Sequence, residues 1–255
     1  MGIDPHLIRN VTIIGDPDET IRVVHRLFRG FAGSGTAATV PWTTDCIEHT
    51  IRITELSSWH PVEVLERSIR LADGLITVMN AAVASTPRLE TILRVADDHQ
   101  VARLCLVTAL DHPAADFDRC LRTIADTHGA VPLTMQIPDG IGTEFAGVLD
   151  LVPTGALEAP GVTCGGSHRK VAAAKYRDLV DTVLDAADRD CLRGPRAIAP
   201  EQLHDRVRYL TRIGDAAPVL CDSAPWPRIA PLLDAVVRYL PSPMHVCQPE
   251  HALDY

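Results

Sequence analysis

The residues to ask about first are those whose type and spacing could bind an anion or a metal. The run Gly161-Val162-Thr163-Cys164-Gly165-Gly166-Ser167, followed by His168-Arg169-Lys170, has the composition of a phosphate-cradling loop. Such a loop must follow a strand, and no clear strand precedes this one, so it reads as an exposed loop. His245, Cys247 and His251 are ligands of the kind zinc takes. A fourth ligand is missing, so they read as scattered polar residues and no metal site is expected. Cys221 falls in an apolar run and reads as packed rather than reactive. The chain holds only two lysines, Lys170 and Lys175, and neither completes a Gly-x-x-x-x-Gly-Lys-[Ser/Thr] phosphate loop.

Composition narrows the partners. Hydrophobic residues make up 46% and charged residues 22%, an ordinary balance that fills a core. A formal net charge of -9 disfavours a naked nucleic acid held by charge. The N-terminal residues show no basic stretch followed by an apolar run, so no signal peptide is expected. The longest apolar stretch, near Leu75 to Val83, is too short to span a bilayer. The cysteines are odd in number and form no Cys-x-x-Cys pair, which argues against a disulfide framework or zinc ribbon. The expected setting is the cytoplasm, with reduced thiols and no membrane partner.

The elements that must position any site alternate between strand and helix. Asn10 to Gly15 reads as a buried strand, and Ile21, Val24, Leu27, Phe28 and Phe31 mark one face of a helix. Ile47 to Leu56 has strand periodicity, and Pro61 opens a helix to about Leu71. A strand at Leu75-Met79, a helix from Pro87 to about Asp98, a strand at Val101-Val107 and a helix from Ala115 to about His128 follow. Short strands are expected at Val131-Met135 and Phe145-Leu151, a loop from Pro153 to Gly166, and long helices at Lys170-Asp190 and Pro200-Ile213. The alternation resumes with a strand at Ala217-Cys221 and a helix at Ile229-Leu240. This order predicts an α/β domain with a largely parallel sheet.

Several of these segments, in this order, resemble the GTPase domain of elongation factor G. Arg9-Asn10-Val11 resembles that domain's opening strand, and Leu65 to Gly74 its helix and strand after the second switch. Ala114-Ala115-Asp116-Phe117 is similar to the segment after the guanine-reading loop. Phe145 to Leu151 is similar to the family's Gly-Val-Val-Asp-Leu strand in an inserted subdomain. The strongest stretch is Pro218-Val219-Leu220-Cys221, then Pro231 to Val237, then Tyr239-Leu240-Pro241-Ser242-Pro243. The resemblance covers roughly residues 9 to 245. It implies a P-loop NTPase-like, mostly parallel sheet flanked by helices, with an inserted α+β subdomain. The implied boundaries are 1–130 and 217–245 for the core of the G domain, 131–216 for the insert, and 246–255 for a loose tail. Nothing resembles the family's other domains.

The residues that the family's chemistry needs are absent. The family's phosphate loop reads Ala-His-x-Asp-Ala-Gly-Lys-Thr. Here the segment is Gly15-Asp16-Pro17-Asp18-Glu19-Thr20-Ile21-Arg22. Thr20 stands at the glycine, Ile21 at the lysine and Arg22 at the Mg-binding threonine, and Pro17 removes a backbone donor. Like charges about 4 Å apart repel by about 1 kcal/mol in water and about 4 at an effective dielectric of 20, so Asp16, Asp18 and Glu19 oppose a triphosphate. Gly33 to Thr39 crosses where the long first switch would be. Glu55-Leu56-Ser57-Ser58-Trp59 replaces the second switch, with His60 one place late for the family's water-orienting histidine and Glu55 still able to face a metal. Thr108-Ala109-Leu110-Asp111 replaces Asn-Lys-x-Asp, leaving Asp111 able to accept from a guanine edge. Asp222-Ser223-Ala224 replaces Gly-Ser-Ala in part.

The expectation is therefore a catalytically inactive pseudo-GTPase that serves as a binding module. No catalytic residue is expected, the weak candidates being His60 and Glu55. Asp18, Thr20, Asp111, Ser223 and Ala224 are what would remain of the nucleotide pocket, and no cofactor is expected. In the family the inserted subdomain contacts the ribosomal stalk protein. The resemblance thus implies a protein partner, the ribosome among them, met through the helices near Lys170-Asp190 and Pro200-Ile213. Trp42, Trp59 and Trp226 are expected to fill space at the rim of the pocket. The alternative is a weak or atypical GTP-binding protein of the translation-factor class, using GTP and Mg.

Overall fold

Strands of six to eight residues with apolar cores build the centre of the molecule, which a computed structural model describes for residues 4–29, 33–34, 36–127, 129–152, 166–184, 199–222 and 229–246. Strand β1 (Ile8–Gly15) pairs in parallel with β4 (Ile47–Glu55) on one side and β5 (Gly74–Asn80) on the other. Beyond β5 lie β6 (Arg103–Thr108), β10 (Ala216–Cys221) and β7 (Val131–Thr134), all parallel. On the other edge β3 (Ala37–Thr44) and the short β2 (Gly33–Ser34) run antiparallel. The sheet order is β2-β3-β4-β1-β5-β6-β10-β7. Every residue of β6 and β10 is buried. Continuous burial is what a parallel strand shows when helices cover both of its faces.

The helices divide between those faces. Ile13, Ile76, Leu104 and Leu106 point to a cluster shared with α1 (Pro17–Arg29) and α7 (Ile229–Tyr239). That cluster also takes in α5 (Gly166–Val183), through Leu179 and Val183, and α6 (Pro200–Arg212), through Leu203 and Val207. Their neighbours Ile14, Leu75 and Cys105 point the other way, toward α2 (Val62–Arg70), α3 (Pro87–Asp98) and α4 (Phe117–Ala125). Burying such a side chain stabilises the fold by about 1.5–3 kcal/mol. The antiparallel pair β8 (Gln136–Asp139) and β9 (Gly147–Asp150) stands outside the main sheet. The chain is an α/β protein with a mostly parallel sheet, flanking helices and a small antiparallel hairpin. Among the described residues no helix is long and apolar enough to cross a membrane.

Three elements differ from the sequence expectation. Strand β3 has no counterpart there, because Pro41 and three threonines hide its alternation. The buried positions are Ala38, Val40 and Thr44. Proline is tolerated because, among the described residues, β2 pairs only with Ala37 and Ala38 and no strand pairs with β3 beyond them on that side. The hairpin turns on Asp45 and Cys46, both at positive φ (51° and 63°) without glycine. Helix α1 starts at Pro17, four residues before its apolar stripe. The segment expected to begin an insert starts with β7, an edge strand of the main sheet, registered Ala216↔Val131 against β10. The expected loop at 153–165, the end of the helix expected to run to Asp190, and the tail from Cys247 lie outside the described residues.

Candidate functional site

In open α/β sheets ligands bind at the carboxyl ends of the strands, and here that end of β1 passes directly into α1. Gly15 sits at φ 152° with its Cα against β5; a Cβ there would lie 2.0 Å from the Val78 carbonyl oxygen. The Asp16 N–H donates to that same oxygen at 2.9 Å. Pro17 then occupies the first helical position, where its missing N–H costs nothing. The Asp16 carboxylate accepts from the Glu19 N–H at 3.2 Å, and the Asp16 carbonyl accepts from the Thr20 N–H at 2.8 Å. A helix N-terminus attracts anions because its first N–H groups are free and its dipole is positive. At this one, Pro17 supplies no donor, and the N–H groups of Asp16, Glu19 and Thr20 are engaged within the chain. The anion already present is Asp16.

The side chains that follow turn away from phosphate chemistry too. Thr20 is buried and its hydroxyl has no hydrogen-bond partner among the described residues. Ile21 is 45% exposed and carries no charge. Arg22 instead folds back on buried Glu19 at 2.5 Å. Asp18 is exposed.

The other expected positions are scattered. Glu55 ends β4, half-buried, and its N–H donates to the Thr36 carbonyl at 2.8 Å. His60 is exposed, and its carbonyl accepts from Arg88 Nη2 at 2.5 Å. Arg88 Nε also donates to the Ser58 carbonyl, so one guanidinium fixes the chain on both sides of Trp59. Trp59 is 74% exposed and fills no pocket, contrary to expectation. Trp42 does pack, but on β3, where its indole donates to Asp234 of α7 at 2.8 Å. Thr108 is fully buried and its hydroxyl donates to the Met79 carbonyl at 3.1 Å, pointing into the sheet. Ala109 takes a positive φ of 55°, and Asp111 is exposed on the loop beyond. Asp222 pairs with Arg26 of α1, while Ser223, Ala224 and Trp226 lie outside the described residues.

Three depressions lie nearby or elsewhere. One of about 350 Å³ reaches from Asp16 past Asn80 and Ser85 to Arg119. Another of about 380 Å³ runs between α1 and α7, beside the Arg26–Asp222 pair. The third, of about 500 Å³, opens between α6, α7 and the β8–β9 hairpin. None has Asp18, Thr20, Glu55, His60 or Asp111 in its wall. Among the described residues no group of three His, Cys, Asp or Glu side chains converges as metal ligands. Cys105, Cys120 and Cys221 are buried, and burial pushes the first two thiols up to about 11, as expected of packed rather than reactive cysteines.

No family model matches the chain. Among solved structures, a protein from Thermus thermophilus is similar, with a TM-score of 0.73 and 17% sequence identity over 95% of this chain. The chain spans 42% of that protein's length. At this identity the likeness is one of fold.

Proposed function

We propose that this chain is a catalytically inactive pseudo-GTPase of the elongation factor G type, acting in the cytoplasm as a protein-binding module. One observation carries the reading: the chain's own Asp16 carboxylate caps α1 where a phosphate would have to sit, with the N–H groups of Asp16, Glu19 and Thr20 already engaged. A GTPase acts almost entirely by holding phosphates and metal, so losing that cradle removes the activity and not merely its rate. The exposed apolar side chains fit a binding role. Trp59 and, three residues on, Val62 are exposed at 74% and 46%, and Arg88 bonds the backbone carbonyls on either side of Trp59; an exposed aromatic residue is the chemistry of an interface anchor. Val171 on α5 and Tyr209 on α6 are likewise exposed, at 54% and 56%, on the helices that the resemblance offers to the ribosomal stalk.

Titration with a fluorescent GTP analogue and Mg tests the first half of the reading. No saturable binding in the micromolar range is expected; micromolar binding would establish an atypical GTP-binding protein instead. Sedimentation with ribosomes, with and without the stalk, tests the second half. Stalk-dependent co-migration is expected, and its absence removes the ribosomal version.

A further inference from the structure

At the amino end of β1, opposite the end that meets α1, cationic and imidazole side chains from several elements come together. Arg9 donates through Nη1 to the His6 and Ile8 carbonyls, both at 2.8 Å, and through Nη2 to the Val237 carbonyl at 3.2 Å. Arg208 Nε donates to the next carbonyl along α7, that of Arg238, at 2.5 Å. The two guanidinium groups thus close the last turn of α7, where carbonyls lack helical partners and carry partial negative charge. Arg212 stands one turn beyond Arg208 on the same face of α6. The turns Pro5–Leu7 and Pro243–His245 add His6 and His245, whose ring centroids are 5.2 Å apart.

Capping of α7 accounts for Arg9 and Arg208 but not for the rest. Arg212, His6 and His245 are exposed. Arg212 has no carboxylate partner among the described residues. His245 Nδ1 meets the neutral Ser242 hydroxyl at 2.8 Å. The nearby carboxylates are engaged: Asp205 pairs with Arg208 at 2.9 Å, and Asp4 accepts the His6 N–H at 2.9 Å. The electrostatics agree with the geometry. Burial first, then Arg208 and Arg212, lower the Arg9 pKa to about 10. Burial first, then Arg212, His6 and Arg9, lower that of His245. No carboxylate enters either balance, in a chain whose net charge is -9. Such a patch attracts anions.

Its surroundings narrow the kind of anion. None of the three depressions has Arg9, Arg208, Arg212, His6 or His245 in its wall, so the patch is an open face and suits a chain segment better than an enclosed small molecule. Tyr209 and Met244, adjacent in sequence to Arg208 and His245, are 56% and 60% exposed. They offer apolar surface to side chains of a peptide. A long nucleic acid would carry its phosphates past the patch, onto a chain of net negative charge. Arginine forks match carboxylates, and Arg208 is already held in place by its bond to α7.

We propose that this face docks an acidic segment of a protein partner, its carboxylates reaching Arg208 and Arg212 while His6 and His245 donate beside them. The proposal rests on the reading of the chain as a binding module and names the chemistry of what it binds. Fluorescence anisotropy of the full chain with fluorescein-labelled deca-glutamate at low salt tests it. Saturable binding is expected, weakened by added salt. Arg212→Glu should weaken it at least about tenfold at an unchanged melting temperature. Arg94→Glu, the same charge change at an exposed position of α3 across the sheet, should leave it within about twofold. A Gly-Ser peptide of equal length should not bind, and single-stranded RNA of equal length should bind more weakly. No saturable binding of deca-glutamate, equal losses in Arg212→Glu and Arg94→Glu, or tighter binding of the RNA overturns the proposal. Stalk-dependent co-migration with ribosomes that persists alongside such a failure would leave the binding-module reading standing and remove only this surface.

Discussion

Replacing Asp16 by alanine isolates the group that closes the helix N-terminus. Two terms are lost. The first is the cap bond from the Glu19 N–H to the Asp16 carboxylate at 3.2 Å; such a cap contributes about 1 kcal/mol. The second is the attraction of a negative charge to the positive end of α1, about 0.3–1 kcal/mol at low salt. Together they come to about 1.5 kcal/mol, and for a chain of this size each kcal/mol lowers the melting temperature by about 2–4 °C. Thermal unfolding followed by circular dichroism should therefore show a drop of about 3–6 °C. Asp16→Asn separates the terms, since it keeps the cap and loses the charge, and should cost under about 1 kcal/mol, most of it removed by salt. The alanine variant should still bind no GTP, because Pro17 supplies no donor and Ile21 no cation. An unchanged melting temperature in Asp16→Ala, or a gain of saturable GTP binding, would refute the reasoning.

Three further outcomes follow from buried groups. Arg103 and Asp97 pair at 1% and 6% side-chain exposure, and Asp97 also accepts the Ala130 N–H at 2.9 Å. Asp97→Ala should cost about 3–5 kcal/mol in denaturant unfolding, with Asp97→Leu/Arg103→Met recovering most of it; a loss below about 1 kcal/mol would show that the pair is not desolvated. Alkylation mapped by peptide should label exposed Cys46 in the native protein and spare Cys105, Cys120 and Cys221 until unfolding; early labelling of Cys221 would contradict its burial. Burial, ahead of the nearby arginines, lowers the His204 pKa below 6.5, so the unfolded chain binds the extra proton first. Stability should be full above that value and fall as the pH drops through it. His204→Gln should flatten that fall in the melting-temperature profile, and an unaltered slope would show that His204 titrates normally.

The sheet was legible because its residues answer only to burial. Leu104, Cys105, Leu106 and Val107 have to be apolar on both faces of β6, so composition alone announces the strand. Strand β3 was not legible, since an edge strand buries only alternate small side chains and tolerates Pro41. The start of α1 was hidden for a related reason: Pro17, Asp18 and Glu19 serve as helix openers, not as an apolar stripe, and only the cap geometry reveals them. That position 17 offers no backbone donor and position 21 no cation could be read from Pro17 and Ile21. That Asp16 caps α1 could not, because a carboxylate in a loop signals a cap only once its neighbour's N–H is seen to point at it. Nor could the exposure of Trp59 be read, since the backbone on both sides of it is bonded by Arg88, a residue distant in sequence. The cationic face is illegible for the same reason: Arg9, Arg212 and His245 meet only after three elements pack.

Gly15 shows why a familiar sequence element need not carry its familiar chemistry. In a phosphate loop, glycine serves close approach of the backbone to a ligand. Here the same residue is required by the Val78 backbone, which a Cβ would strike at 2.0 Å. The constraint comes from packing β1 against β5 and would persist with no ligand at all. The next residue decides the chemistry: the Asp16 N–H completes the bond to Val78, and its side chain turns back to close the helix. Strand packing and ligand binding thus make separable demands on adjacent positions. The first is met at Gly15, and at Asp16 the carboxylate is given to the helix cap.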